Sequence, residues 1–332
     1  MKLGIPQALS YYWYYPMWKA FLENLGFEII TSGPTNRKLV NEGCKAAVDE
    51  TCLPVKTFIG HSLQLLEKAD ALFIPSLKSC EEKRYFCPKI IALPETTACN
   101  VKIPIYSFVI NNYSSLKNSE MSYKEFAKRF GISNSRASAA FCKALKFQSI
   151  YEHFLREGYT PSQALKLLKL EEEHDFLDDK NKKLHYKIAV LGSPYLVYDS
   201  FLNLNIKKKL ELLDAEMITA DILTEKDIST HTSFLGKDLF WTYPRRLIAG
   251  ASYFIKHNID GIILLSSFGC GSDAIMEPFI TGLCENHVPY MVLTIDEHTG
   301  EAGFITRLEA FLEMIKHKKR SYNYESCISL HG

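Results

Sequence analysis

The run Ile262-Ile263-Leu264-Leu265-Ser266-Ser267-Phe268-Gly269-Cys270-Gly271-Ser272-Asp273-Ala274 decides the fold. Four consecutive branched apolar residues fit a strand buried on both faces, as in a parallel sheet. The strand runs into a Gly-Cys-Gly turn, and a helical pattern follows over 274–285. Glycine on both sides of a cysteine permits unusual backbone angles and close approach of a bulky ligand. In open α/β sheets, ligands bind beyond the carboxyl ends of the strands.

The same alternation extends outward. Strands are predicted at Ile188–Leu191, Glu216–Thr219 and Tyr290–Thr294, with helices over Arg245–His257 and Phe304–His317. The first third repeats the scheme. Strands at Lys2–Ile5, Phe27–Ile30 and Ala71–Ile74 alternate with helices over Tyr15–Leu25, from a Thr35 cap to Val48, and after Pro54. Strands alternating with helices of this length predict an α/β class, with two Rossmann-like lobes built on parallel sheets. The stretch between them is rich in Lys, Glu, Ala and Leu and reads as a helical insertion. In it Pro161 opens a helix that reaches the solvated acidic run Glu171–Glu173. The expected divisions are an N-terminal lobe over 1–118, a helical linker over 119–184 and a C-terminal lobe over 185–332. Both lobes open alike: Gly4-Ile5-Pro6 precedes Tyr11 and Tyr12, and Gly192-Ser193-Pro194 precedes Tyr195 and Tyr198. A site is expected in the cleft between them.

Composition excludes some partners. The 332 residues are 47% hydrophobic and carry 39 Lys+Arg against 38 Asp+Glu, a net charge of +1. A nucleic-acid or anionic-membrane partner would call for a basic excess. No long apolar run suggests a membrane span, and the start reads as a mature cytoplasmic N-terminus.

The nine cysteines carry the chemistry. Their odd number, irregular spacing and lack of C-x-x-C speak against a disulfide framework. Three sit at strand-to-helix turns. Cys52 precedes Leu53-Pro54, Cys87 precedes Pro88, and Cys270 lies in the Gly-Cys-Gly turn. A helix N-terminus favours thiolate, and Lys83, Arg84 and Lys89 beside Cys87 are expected to lower its pKa. Soft thiolates favour an iron–sulfur cluster or zinc. Cys44, Cys142 and Cys284 fall in helical patterns and are expected in the core. Cys327 is in the tail, and Cys80 and Cys99 share the loop region of Cys87, with Cys80 a further ligand candidate. A rival reading of the same turn is Gly269-x-Gly271-x-x-Ala274, a weak match to the dinucleotide fingerprint. Gly269, Gly271 and Ser272 are thus candidate cofactor-binding residues. No G-x-x-x-x-G-K-[ST] occurs.

Asp296, Glu297, His298 and Glu301 follow the last predicted strand as candidate catalytic or docking groups, with a capped, solvated loop as the alternative. The aromatic group Tyr11-Tyr12-Trp13-Tyr14-Tyr15 and Trp18 reads as cleft wall or as packing. Lys56 and His61 read as exposed positions on the helix that follows Cys52.

Longer motifs carry a resemblance. Ile5-Pro6-x-Ala8, Tyr14-Tyr15-Pro16-x-Trp18, Asp49-Glu50-Thr51-Cys52-Leu53-Pro54-Val55-Lys56 and Tyr85-Phe86-Cys87-Pro88-Lys89 look like the acyl-CoA dehydratase activase-related proteins. So do the Gly-Cys-Gly-Ser-Asp turn and Asp296-Glu297-His298-Thr299-Gly300-Glu301-Ala302-Gly303. That group is similar to 2-hydroxyacyl-CoA dehydratase subunits and double-cubane-cluster proteins. The resemblance implies a cleft cluster on Cys52, Cys87 and Cys270, either a single 4Fe-4S cubane or a double cubane. It implies an ATP-dependent iron–sulfur activator as partner, and an acyl-CoA or small-molecule substrate for a dehydratase-like lyase or a reductase. A homodimer or heterodimer fits the same picture. Ser193 stands where this group has His. The alternatives are a non-catalytic electron carrier or cluster scaffold, and a nucleotide- or CoA-binding protein without a cluster.

Overall fold

The computed structural model describes residues 1–170 and 183–329. Glu171–Glu173 lie outside them. The N-terminal half runs β1 (Lys2–Ile5), α1 (Tyr11–Leu25), β2 (Glu28–Thr31), α2 (Arg37–Ala46), α3 (Leu53–Gln64), β3 (Ala71–Phe73), β4 (Ser76–Ser79), α4 (Pro88–Ile91), α5 (Leu93–Ala98), β5 (Ile105–Tyr106) and β6 (Val109–Asn111). Then come α6 (Lys117–Lys128), α7 (Asn134–Arg156) and α8 (Pro161–Leu167). The C-terminal half runs β7 (Tyr186–Leu191), α9 (Pro194–Val197), α10 (Ile206–Leu212), β8 (Ala215–Thr219), α11 (Glu225–Thr232), α12 (Thr242–Ile255), β9 (Gly261–Ser267), α13 (Gly271–Cys284), β10 (Tyr290–Ile295) and α14 (Glu301–Ser329).

Two four-stranded sheets result, β2-β1-β3-β5 and β10-β9-β7-β8, with parallel pairing throughout. In each, the second strand in sequence flanks the first, and the third and fourth lie on its other side. The two lobes thus share a strand order as well as an opening motif. In both sheets the strand order reverses between the first and third strands, the place where such folds open a crevice. β4 and β6 form a separate parallel pair that the sequence pattern did not reveal.

Alternation along the second sheet divides the core. Ile188, Val190, Ile263, Leu265, Leu293 and Ile295 face a large cluster that continues into the N-terminal lobe. Their neighbours Ala189, Leu191, Ile262 and Leu264 face a smaller cluster under α12 and α13. A period of two is what a pleated strand buried on both faces requires.

The seam between the lobes is tied in several ways. Tyr85 forms a backbone bridge with Trp241: Tyr85 N–H donates to Phe240 O at 2.6 Å, and Thr242 N–H donates to Tyr85 O at 3.1 Å. Beside this bridge, the ring of Tyr243 packs on Trp13 (4.7 Å between centroids), Phe86 (5.3 Å) and Tyr195 (5.8 Å). Arg84 pairs with Asp238 at 3.0 Å, and Arg246 stacks over Trp13 at 4.9 Å. The aromatic group of α1 is thus packing first, and Trp13 also lines the seam.

Close packing of α2 on α3 sets where the residue before α3 sits. A Cβ on Gly43 would lie 2.0 Å from Lys56 O, and one on Gly60 would lie 2.2 Å from Leu39 O. Only glycine allows the two backbones to touch here. Lys56 and His61, expected on an exposed face, are both buried because α2 covers that face. Among the described residues no helix is long and apolar enough to cross a membrane. Gly43→Ala is expected to destabilise the fold by about 3 kcal/mol, since backbone cannot yield as a flexible side chain would. Urea denaturation checks this, and a change within about 0.5 kcal/mol would refute the close approach.

Candidate functional site

Cys52, Cys87 and Cys270 are the cap residues of α3, α4 and α13, each extended and immediately before its helix. All three lie along the seam, within electrostatic reach of one another or of Asp273. Cys87 acts electrostatically on Cys52, and Cys52 on Cys270. The carboxyl of Asp273 acts on all three. Gly269 makes the approach possible: its φ of +73° is left-handed, and a Cβ there would lie 3.9 Å from Cys52 Cα. Gly271 has open space around it, and Ser272 Oγ lies 3.2 Å from Cys270 Sγ. Tyr195, buried in the seam, feels Asp273, Cys270 and Cys87.

The thiols are held protonated, not ionised. Burial pushes Cys270 up to about 12, with the Asp273 carboxylate adding to the effect and Ser272 opposing it. Burial likewise raises Cys52 and Cys87, although Lys89 and backbone N–H groups at the helix starts pull the other way. The expectation of lowered thiol pKa values is therefore corrected: desolvation outweighs the helix ends and Lys89. Arg84 is drawn instead to Asp238 and to Glu81, at 3.0 and 3.9 Å. Asp273, itself raised to about 6 by burial, accepts from Ser267 N–H at 3.0 Å.

Cys80 belongs elsewhere. It contacts Tyr14 beside Glu81, and burial raises its thiol to about 12. Among the expected core cysteines, Cys284 is buried, Cys44 is half-buried and Cys142 is exposed. Cys99 is exposed at the end of α5. The side chain of Cys327 lies outside the described residues.

The loop after β10 is largely turn chemistry and pairing. Asp296 accepts from Thr299 Oγ1 (2.8 Å) and His298 N–H (2.9 Å). Glu301 pairs with Lys209 at 2.8 Å, and His298 is exposed. Glu297 differs, because it meets the buried Lys56 at 2.7 Å one turn beyond Cys52. That hydrogen bond and charge lower the Glu297 carboxyl; they also raise Lys56 despite its burial. A small cavity of about 20 Å³, lined by Ile5, Ser10, Trp18, Phe58, Phe73 and Leu77, marks the reversal point of the first sheet. It has room for about one water molecule.

His61, read from the sequence as exposed, is a buried hydrogen-bonded group. His61 Nδ1 lies 2.7 Å from Ser32 Oγ and Nε2 lies 2.9 Å from Thr35 Oγ1. Burial lowers its pKa from 6.5 to about 3. Below pH 6.5 the unfolded chain therefore binds a proton that the folded chain refuses until about pH 3. Stability is fully present above that window and falls through it by about 1.4 kcal/mol per pH unit. Urea denaturation between pH 6.5 and 4 is expected to show this extra slope in the native chain and its absence in His61→Gln. Equal slopes would contradict a neutral buried ring.

Residues 2–223 match the CoA enzyme activase uncharacterised domain (DUF2229), which is most of the chain, and the chain belongs to that family. A comparison with curated proteins gives no match. The family corrects the functional expectation: the chain is related to activators of CoA enzymes, and the likeness does not extend to an iron–sulfur dehydratase subunit in particular. The ligand geometry agrees with the correction. Among the described residues no three His, Cys, Asp or Glu side chains come together as a set that would hold a metal ion. The 4Fe-4S redox role, as dehydratase, reductase, carrier or scaffold, is withdrawn.

Proposed function

We propose that this chain is a docking component in the activation of a CoA enzyme, and that its partner is an acyl-CoA dehydratase. The observation that carries the proposal is the outer face of α13. Its inner face buries Asp273, Met276, Ile280 and Cys284. Its outer face is also apolar, with Ala274, Ile275, Pro278 and Phe279 exposed and with glycine at 271 and 282. Phe268, in the turn before Cys270, is 70% exposed, and Phe279 is 54% exposed. A surface helix normally turns a polar face to water, whereas one apolar all round is covered. Contiguous exposed apolar surface of this kind marks a protein contact.

The face begins at the turn that carries Cys270, so a partner seated on α13 would also lie next to that turn. Family membership supports a partner in CoA-enzyme activation. An ATP-dependent iron–sulfur activator, expected from the motif resemblance, enters the proposal as the second protein of the complex.

Titration of the full chain with a purified 2-hydroxyacyl-CoA dehydratase, followed by calorimetry, tests the reading. Micromolar binding is expected, and Phe268→Ser with Phe279→Ser is expected to weaken it at least tenfold, since buried aromatic anchors dominate such interfaces. Circular dichroism of the double variant should match that of the native chain, because both side chains are exposed. Absence of binding, or binding unchanged in the double variant, would contradict the docking role.

A further inference from the structure

A chain of hydrogen bonds, buried at Ser32–His61 and partly buried at its other links, joins the two lobes apart from the thiols and from the docking face. Gln7 N–H donates to Ser32 Oγ at 2.9 Å. Ser32 Oγ lies 2.7 Å from His61 Nδ1, and His61 Nε2 lies 2.9 Å from Thr35 Oγ1. Thr35 Oγ1 donates to Asp199 Oδ2, which belongs to the other lobe. Asp199 Oδ1 also accepts from Phe201 N–H at 3.0 Å and Leu202 N–H at 3.1 Å, and Tyr12 adds a further donor to the carboxylate. His61, Ser32 and Asp199 are all buried.

With Asp199 ionised, counting protons sets the direction of every bond; burial raises that carboxyl, while the hydrogen bonds from Thr35, Leu202, Phe201 and Tyr12 oppose the rise. A threonine hydroxyl has one proton, and Thr35 commits it to the carboxylate. Its oxygen must then accept from His61, so Nε2 carries the ring proton. Nδ1 is bare and accepts from Ser32, whose own oxygen accepts from Gln7 N–H. The order Gln7→Ser32→His61→Thr35→Asp199 leaves no donor facing a donor and no acceptor facing an acceptor. The low pKa of His61 agrees with a neutral ring.

Asp199 ends the segment that begins at Ser193. That segment contains α9 and Tyr195, which lies within electrostatic reach of Asp273, Cys270 and Cys87 and whose ring packs on Tyr243, itself against Phe86 next to Cys87. Asn203 Nδ2 closes the far side by donating to Val197 O at 2.7 Å.

We propose that Asp199 and Thr35 are positioning residues: the proton-ordered relay from the N-terminal lobe holds the Ser193–Asp199 segment, and with it Tyr195, beside Cys270 and Cys87. Breaking the relay at Thr35 strands the His61 N–H and removes one donor from a buried carboxylate. Both are costly enough to shift the segment.

Two measurements on the full chain test this. Nitrogen-15 spectra of the histidine rings at neutral pH should show His61 with a protonated Nε2 and a bare Nδ1. A protonated Nδ1, or a doubly protonated ring, would overturn the order. Alkylation of Cys270 by N-ethylmaleimide, followed by mass spectrometry, should quicken roughly tenfold in Thr35→Val, the scale of one lost hydrogen bond. Thr35→Ser keeps the hydroxyl and should react at the native rate. A native rate in Thr35→Val, or equal quickening in both variants, would overturn the positioning role. Thr35 lies in the loop between β2 and α2, so both variants are expected to fold.

Discussion

The packing of Tyr243 between the lobes is the constraint on which the rest depends. Its ring touches Trp13 and Phe86 from one lobe and Tyr195 from the other. It sits beside the only isolated bridge found among the described residues, Tyr85 with Trp241. Neither lobe alone places a cysteine near another lobe's cysteine: Cys52 and Cys87 come with the first sheet and Cys270 with the second. Closing the seam on these rings brings the thiol-bearing turns of the two lobes to one place, with Cys52 buried and Cys87 and Cys270 half-buried. The helix starts and the cleft then oppose each other, since N-terminal N–H groups favour a thiolate while burial favours the thiol. Burial wins at all three positions.

The seam also relates the inner chemistry to the outer surface. α13 begins at Cys270, buries Asp273 towards the thiols, and shows Ile275 and Phe279 to solvent. One helix thus carries the cleft on one side and an apolar contact face on the other. Lys56, a turn beyond Cys52, bridges two elements in a similar way. Removing Glu297 alone would leave an uncompensated buried cation, which explains why the loop after β10 is tied to α3.

Much of this was legible in the sequence, for identifiable reasons. The run from Ile262 to Ala274 announced a buried strand, a turn and a helix because length, branching and glycines agreed. The three turn cysteines stood out by local context, and each does stand immediately before a helix. β4 and β6 were missed because three or four residues are too few for a period to emerge. The burial of Lys56 was illegible because its partner lies 241 positions away. The raised thiol pKa values depend on which side chains cover the sulfurs, a tertiary property that local charges such as Lys89 misrepresent. The apolar outer face of α13 was written in Ala274, Ile275, Pro278 and Phe279, yet its meaning required knowing which face was already buried.

Chemical cross-linking of the thiols tests the central claim that the seam gathers Cys52, Cys87 and Cys270. A short thiol-to-thiol reagent such as dibromobimane, applied to the native chain at alkaline pH and followed by peptide mass spectrometry, should join Cys270 to Cys52 or Cys87. The same links should disappear in urea. Native protein in which Cys270 joins neither, while remaining alkylated by the reagent singly, would contradict the account.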